Sequence, residues 1–127
     1  MNTNHKKIVI VDDDTITQKL YHDVLTKEGY VVVQAYEAKE GLNLIKSSHP
    51  DLIILDIMIP GGMNGFDILE TVKADADLKA IPVLIFTNLD SEEKIALSIG
   101  ASDYVIKSNI SINDIPSKVR QYLPDHS

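Results

Sequence analysis

The stretch that decides the fold is Ile8 to Asp14, IVIVDDD, in which four apolar residues run straight into three carboxylates. An unbroken run of Ile and Val is what a strand covered on both faces looks like. The acids behind it repel one another and are costly to desolvate, so a chain that gathers them there needs something positive among them. Four similar runs follow KIVIV (7–11): VVVQA (31–35), DLIIL (51–55), PVLIF (82–86) and DYVI (103–106).

Between the runs, apolar residues recur at helical spacing. The sets are Ile16, Leu20 and Val24; Ala38, Leu42 and Ile45; Phe66, Leu69 and Val72; Ile95 and Ile99; and Ile115, Val119 and Leu123. Gly29 and Gly100 stand where two of these helices should stop. Pro116 is tolerated only in a first helical turn, and Asn113 is the expected N-cap of the last helix. Strand and helix alternating five times predict an α/β fold, a doubly wound (βα)5 unit with a five-stranded parallel sheet in the order 2-1-3-4-5. Right-handed crossovers bring the C-terminal ends of all strands to one edge, where such folds hold their ligands.

The 127 residues suit a single domain, with a core expected over about 6–123 and no second domain. No apolar segment is long enough to span a membrane, and the N-terminal run is too short for a signal peptide, so the cytoplasm is the expected location. Without cysteine, disulfides and thiolate chemistry are excluded. A net charge of −7 with no basic cluster argues against direct binding to nucleic acid or to anionic membranes. His5, His22, His49 and His126 all lie away from strand ends and read as solvated surface.

The strand ends collect a short set of residues: Asp12, Asp13 and Asp14 after the first, Asp56 after the third, Thr87 after the fourth and Lys107 after the fifth. The second strand, at the outer edge, adds nothing comparable. Carboxylates without histidine or cysteine make a hard oxygen site suited to Mg²⁺ or Mn²⁺. A lysine and a threonine facing them can bind phosphoryl oxygens, and an aspartate on a rigid strand end can act as a nucleophile. Asp14 reads as the cap of the first helix.

These residues, with LDIMIPGGMNGFDIL around Asp56, PVLIFTN ending in Thr87 and GASDYVIK leading to Lys107, resemble the receiver domain of bacterial two-component response regulators, whose fold is flavodoxin-like. The resemblance runs from about Lys6 to Leu123. It implies that Asp56 accepts a phosphoryl group from a histidine kinase or a phosphotransfer protein. It implies further that Asp12, Asp13, Asp56 and the Met58 carbonyl hold Mg²⁺, that Thr87 and Lys107 contact the phosphoryl group, and that Tyr104 is a switch aromatic. Output would pass through the fourth helix, the fifth strand and the fifth helix to a protein partner. The chain would catalyse its own phosphorylation and a slow dephosphorylation rather than act as a conventional enzyme.

Three positions depart from the family's pattern. An additional glycine in PGGMNG predicts a wider or more mobile loop after Asp56. Asn88 replaces a small residue after Thr87. Ser108 stands where the family has a proline, often cis, so the loop carrying Lys107 is expected to take another shape or a strained peptide. The Thr87–Lys107 segment, shorter than is usual in the family, predicts a short fourth helix or a tight loop before it. The alternative reading is a phosphorylation-independent interaction module. An aspartate-nucleophile phosphatase is disfavoured because Met58 occupies the place of its second aspartate, and a flavin site because the first loop is acidic and lacks a phosphate cradle.

Overall fold

A computed structural model describes residues 5–123. The strands are β1 (Lys7–Val11), β2 (Val31–Ala35), β3 (Leu52–Leu55), β4 (Val83–Thr87) and β5 (Asp103–Ile106). They pair in parallel in the order β2-β1-β3-β4-β5. The helices are α1 (Thr15–Thr26), α2 (Ala38–Ser48), α3 (Gly65–Ala74), α4 (Glu93–Ile99) and α5 (Ile115–Tyr122).

The apolar runs are continuous because both faces of the sheet are buried. Ile8, Ile10, Leu52, Ile54, Leu84 and Phe86 face Tyr21 and Leu25 of α1 and Ile115 and Val119 of α5. Their neighbours Val9, Val11, Ile53, Leu55, Val83 and Ile85 face α2, α3 and α4 through Leu42, Ile45, Ile68, Leu69, Val72 and Ala96. Tyr21 and Phe86 meet edge to face, with centroids 5.8 Å apart. Three strand boundaries move by one residue. Pro82 has no N–H for the ladder and only its carbonyl takes part, accepting from the Ile53 N–H, so β4 starts at Val83 and ends on Thr87. Asp51 precedes β3 instead of opening it, and its carboxylate accepts from the Lys7 main-chain N–H.

The spacing found α1 but misassigned its face. Ile16 is 70% exposed and Leu20 42%, while Gln18, Tyr21 and Leu25 are buried. Asp14 caps this helix as expected, accepting from the Thr17 N–H at 3.1 Å. Asn113 is not the N-cap of α5. A 3₁₀ turn at Ile112–Asp114, capped by the Ser111 hydroxyl, leads into the helix, and Asp114 takes the N-cap position. The fourth helix is short, as its segment length predicts, with seven residues closed by Gly100 at φ 132°. His126 lies outside the described residues.

Among the described residues no helix is long and apolar enough to cross a membrane.

Candidate functional site

At the C-terminal edge of the sheet, β1 and β3 end side by side. The register that pairs Val11 with Leu55 puts Asp12 next to Asp56. Each acid is anchored by its main chain: Asp12 N–H donates to Ala35 O and Asp56 N–H to Val11 O, both at 3.1 Å. The side chains are anchored too. Asp12 Oδ1 accepts from the Asp14 N–H at 2.9 Å, and Asp56 Oδ1 accepts from the Met58 N–H at 3.0 Å. Their other oxygens both reach Lys107, whose Nζ lies 2.6 Å from Asp12 Oδ2 and 2.6 Å from Asp56 Oδ2.

Between two neighbouring buried carboxylates, the positive charge is thus the Lys107 ammonium, delivered from the end of β5. Only 16% of its side chain is exposed. Burial works against the charged amine, but hydrogen bonds and charge from Asp12 and Asp56 outweigh it and hold its pKa above the usual lysine value. Burial dominates at Asp12, whose pKa is raised although Lys107 and the Asp14 N–H favour its ionised form. Such a pair leaves Asp56 a buried, oriented carboxylate with a cation at one oxygen. That arrangement can accept an electrophilic phosphorus and balance the charge of its oxygens.

The other expected site residues are placed differently. Asp13, next in the chain after Asp12, is exposed. The Met58 side chain is 58% exposed, and its main chain is bound to Asp56 through N–H. Among the described residues no three acidic, histidine or cysteine side chains are gathered tightly enough to hold a metal ion, so Asp12, Asp13 and Asp56 do not form a ready-made cage. The donor chemistry nonetheless fits a hard divalent cation, being entirely carboxylate and main-chain oxygen. Thr87 is fully buried, and its hydroxyl accepts from the Leu89 N–H at 3.3 Å. Tyr104 is turned inward, its hydroxyl donating to Leu89 O, and burial raises its pKa.

The departures from the receiver pattern have local explanations. Among the described residues every peptide bond is trans, so the Lys107–Ser108 bond carries no cis geometry. Instead Lys107 opens a 3₁₀ turn at Lys107–Asn109, and the Ser108 N–H donates to Asn88 Oδ1 at 3.0 Å. Gly61, at φ 112°, and Gly62 in the loop after Asp56 line a cleft together with Glu37, Ala38 and Lys39.

Gln18 is a residue that supports the site and that the sequence reading missed. It is fully buried, and its side-chain amide lies within hydrogen-bonding distance of the carbonyls of Ile10, Asp12 and Ala35, at 3.2, 3.0 and 2.8 Å. Gln34 in β2 donates in turn to Gln18 Oε1 at 2.7 Å. A glutamine inside an otherwise apolar strand, as Gln34 is, was the available sign that a buried polar partner lay nearby.

Comparison with known proteins agrees with this geometry. The family model described as the response regulator receiver domain matches residues 8–120. A curated relative from Cyanophora paradoxa, named probable transcriptional regulator ycf27, is 33% identical over 97% of this chain and 50% of its own length. The chain spans about half the length of the curated relatives it matches. A response regulator receiver domain protein (CheY-like) from Methanospirillum hungatei superposes with a TM-score of 0.86 at 31% identity, covering 94% of each chain. The BeF3-activated N-terminal receiver domain of Klebsiella pneumoniae RstA gives 0.81 at 29% identity, covering 94% of this chain and 99% of its own. Parallel sheet order, strand-end acids bridged by a lysine and the match over nearly the whole length have one consistent explanation: the chain belongs to the response regulator receiver domain family.

Proposed function

We propose that Asp56 is the phosphoacceptor of a signalling switch, with a histidine kinase or a histidine phosphotransfer protein as donor. The observation that carries this reading is the convergence of Asp12, Asp56 and Lys107 within ion-pair distance at the C-terminal ends of the central strands. A carboxylate oxygen of Asp56 attacks the phosphorus, and the P–N bond to the donor imidazole breaks with its electron pair going to that nitrogen. Lys107 then follows the negative charge from the carboxylate to the phosphoryl oxygens, and the Met58 N–H keeps the Asp56 side chain aimed. Receiver domains bind Mg²⁺ at their phosphorylation site. Here Asp12, Asp13, Asp56 and the Met58 carbonyl would hold it, with Mn²⁺ as a chemical substitute, and the cation supplies charge neutralisation of the transferring group. Asp12 keeps free lone pairs beside its bonds to Lys107 and the Asp14 N–H, so it could ligate the cation without losing either.

Thr87 supplies the second contact to the phosphoryl group. Its hydroxyl and that of Tyr104 both terminate on the main chain of Leu89, one on the N–H and one on the carbonyl. When Thr87 leaves Leu89 for a phosphoryl oxygen, the residue whose carbonyl tethers Tyr104 is the first to feel it. The change has to favour one state by a few kcal/mol to be useful, because equal affinity for two states shifts nothing. Ile95 and Leu97 on α4 are exposed, which supports a downstream protein docking on α4, β5 and α5. The acidic net charge supports a protein rather than nucleic acid or membrane as that partner.

Incubation with a small acyl phosphate and Mg²⁺, followed by intact mass measurement, should show one added phosphoryl group that Asp56→Asn abolishes. An adduct that persists in Asp56→Asn rejects the assignment.

A further inference from the structure

The residues that follow Thr87 and Lys107 are bonded to each other. Ser108 donates its main-chain N–H to Asn88 Oδ1 at 3.0 Å, across twenty positions of sequence. Each partner depends on the identity of the other. A proline at 108 has no N–H to give, and an alanine at 88 has no side-chain oxygen to receive it.

The bond also lies where the loop has little other support. The 3₁₀ turn at Lys107–Asn109 is closed by the Ile110 N–H on Lys107 O at 3.4 Å, long for a main-chain hydrogen bond. Ser108 and Asn109 are both exposed. Yet the Lys107 side chain from this turn has to keep its ammonium 2.6 Å from two carboxylates on other strands. Asn88, exposed but directly following the fully buried β4, ties the turn to the end of that strand.

We propose that Asn88 is a positioning residue for phosphoryl transfer: through the Ser108 amide it fixes the turn that presents Lys107 against the strand end that presents Thr87. The two side chains that contact the phosphoryl group then move together. A rearrangement begun at Thr87 reaches Lys107 through one side chain, without passing through the core. This inference rests on the reading of Asp56 as phosphoacceptor.

The test is a double-mutant cycle on the full chain with Asn88→Ala, Ser108→Pro and both together, with Asn88→Asp as the variant that retains an acceptor oxygen. Phosphorylation is followed at saturating acyl phosphate and Mg²⁺, Mg²⁺ affinity is titrated separately, and the Ser108 amide is read by ¹⁵N NMR. Asn88→Ala should slow phosphorylation about threefold to tenfold, the range of one net hydrogen bond. Its Mg²⁺ affinity should stay within about twofold, because Asn88 touches neither Asp12 nor Asp56 and only one hydrogen bond is removed. The Ser108 amide should lose exchange protection in Asn88→Ala and regain it in Asn88→Asp. In the Ser108→Pro background the Asn88→Ala effect should vanish.

Fully additive rates, or a Ser108 amide indifferent to Asn88, overturn the proposal. Should Ser108→Pro fail to fold, the amide exchange of Asn88→Ala and Asn88→Asp decides the matter. If the wild-type chain takes no phosphoryl group on Asp56, the functional reading falls, while the amide measurements still judge the tie. If it does take one and Asn88→Ala matches it in rate, the tie alone falls.

Discussion

The crevice at the C-terminal edge of the sheet has two walls, and they are held by different kinds of interaction. On the β1–β3 side, Asp12 and Asp56 extend from strands that are buried on both faces, and main-chain bonds from both acids continue the ladder. Beneath them the Gln18 amide gathers three carbonyls, and Gly65 brings α3 against the Asp56 carbonyl. On the β4–β5 side, the ends of the strands are joined by side-chain bonds: Thr87 and Tyr104 to Leu89, and Asn88 to Ser108. The ladder between β4 and β5 also runs up to Thr87 and Ile106, but the segments beyond it are tied by single side-chain bonds, whereas those of the first wall are held by main-chain bonds and a buried amide. A nucleophile benefits from the first construction, since misplacement by an ångström is costly in rate. A switch needs the second, since moving parts are drawn from the less stable regions of a fold.

The largest effect should come from attacking the fixed wall where it has no slack. A Cβ on Gly65 would lie 2.2 Å from the Asp56 carbonyl oxygen and 2.7 Å from the Ile57 Cα. Both are main-chain atoms in a segment that cannot yield without pulling Asp56 off the ladder. Gly65→Ala should therefore cost roughly 3 to 5 kcal/mol in urea unfolding, at the upper end for a single substitution. A variant as stable as the wild type would mean that this wall is deformable and that the contrast between the two sides is wrong.

A smaller loss is expected where the same wall is held by a side chain. Gln18→Met keeps the volume and removes the amide, leaving the Ile10, Asp12 and Ala35 carbonyls without that donor and Gln34 without its side-chain acceptor. The cost should be about 2 kcal/mol, because some of these carbonyls retain other partners while the new side chain satisfies none. Amide exchange should rise at Asp12 and Asp14 and stay unchanged at Leu89 and Ser108. Equal loosening of both walls would dissolve the distinction between them.

Gln18 also marks where the sequence stopped being legible. Strands were readable because burial on both faces leaves unbroken Ile, Val and Leu runs, and the order of acids, threonine and lysine along the chain located the crevice. The buried face of α1 was not readable. Counting apolar residues favours Ile16 and Leu20, both exposed, whereas the helix is rotated so that a glutamine can reach carbonyls from two strands. Periodicity cannot anticipate a polar group whose partners are supplied by tertiary structure. The pairing of Asn88 with Ser108 was hidden for the same reason: each residue was visible as a departure, but their contact depends on how two loops approach in space. The lysine between the acids was foreseen as a phosphoryl contact, not as the charge that already answers their repulsion.

The smallest effect should appear on the movable wall. Tyr104→Phe keeps the ring in the core among Ile85, Ala96 and Ala101 and removes only the hydroxyl that donates to Leu89 O. One net hydrogen bond is at stake, so stability should fall by about 1 kcal/mol. What distinguishes this variant is where the loss is felt. With the Leu89 carbonyl released, the residue whose N–H also engages Thr87 is freer to reorient, and hydrogen exchange should quicken at Leu89 and along the first turn of α4. Exchange at Asp12, Asp56 and Met58 should not change, because their bonds run through β1, β2 and β3. If protection falls evenly across both walls, Tyr104 braces the whole crevice, and the division between a fixed accepting side and a mobile reading side has to be abandoned.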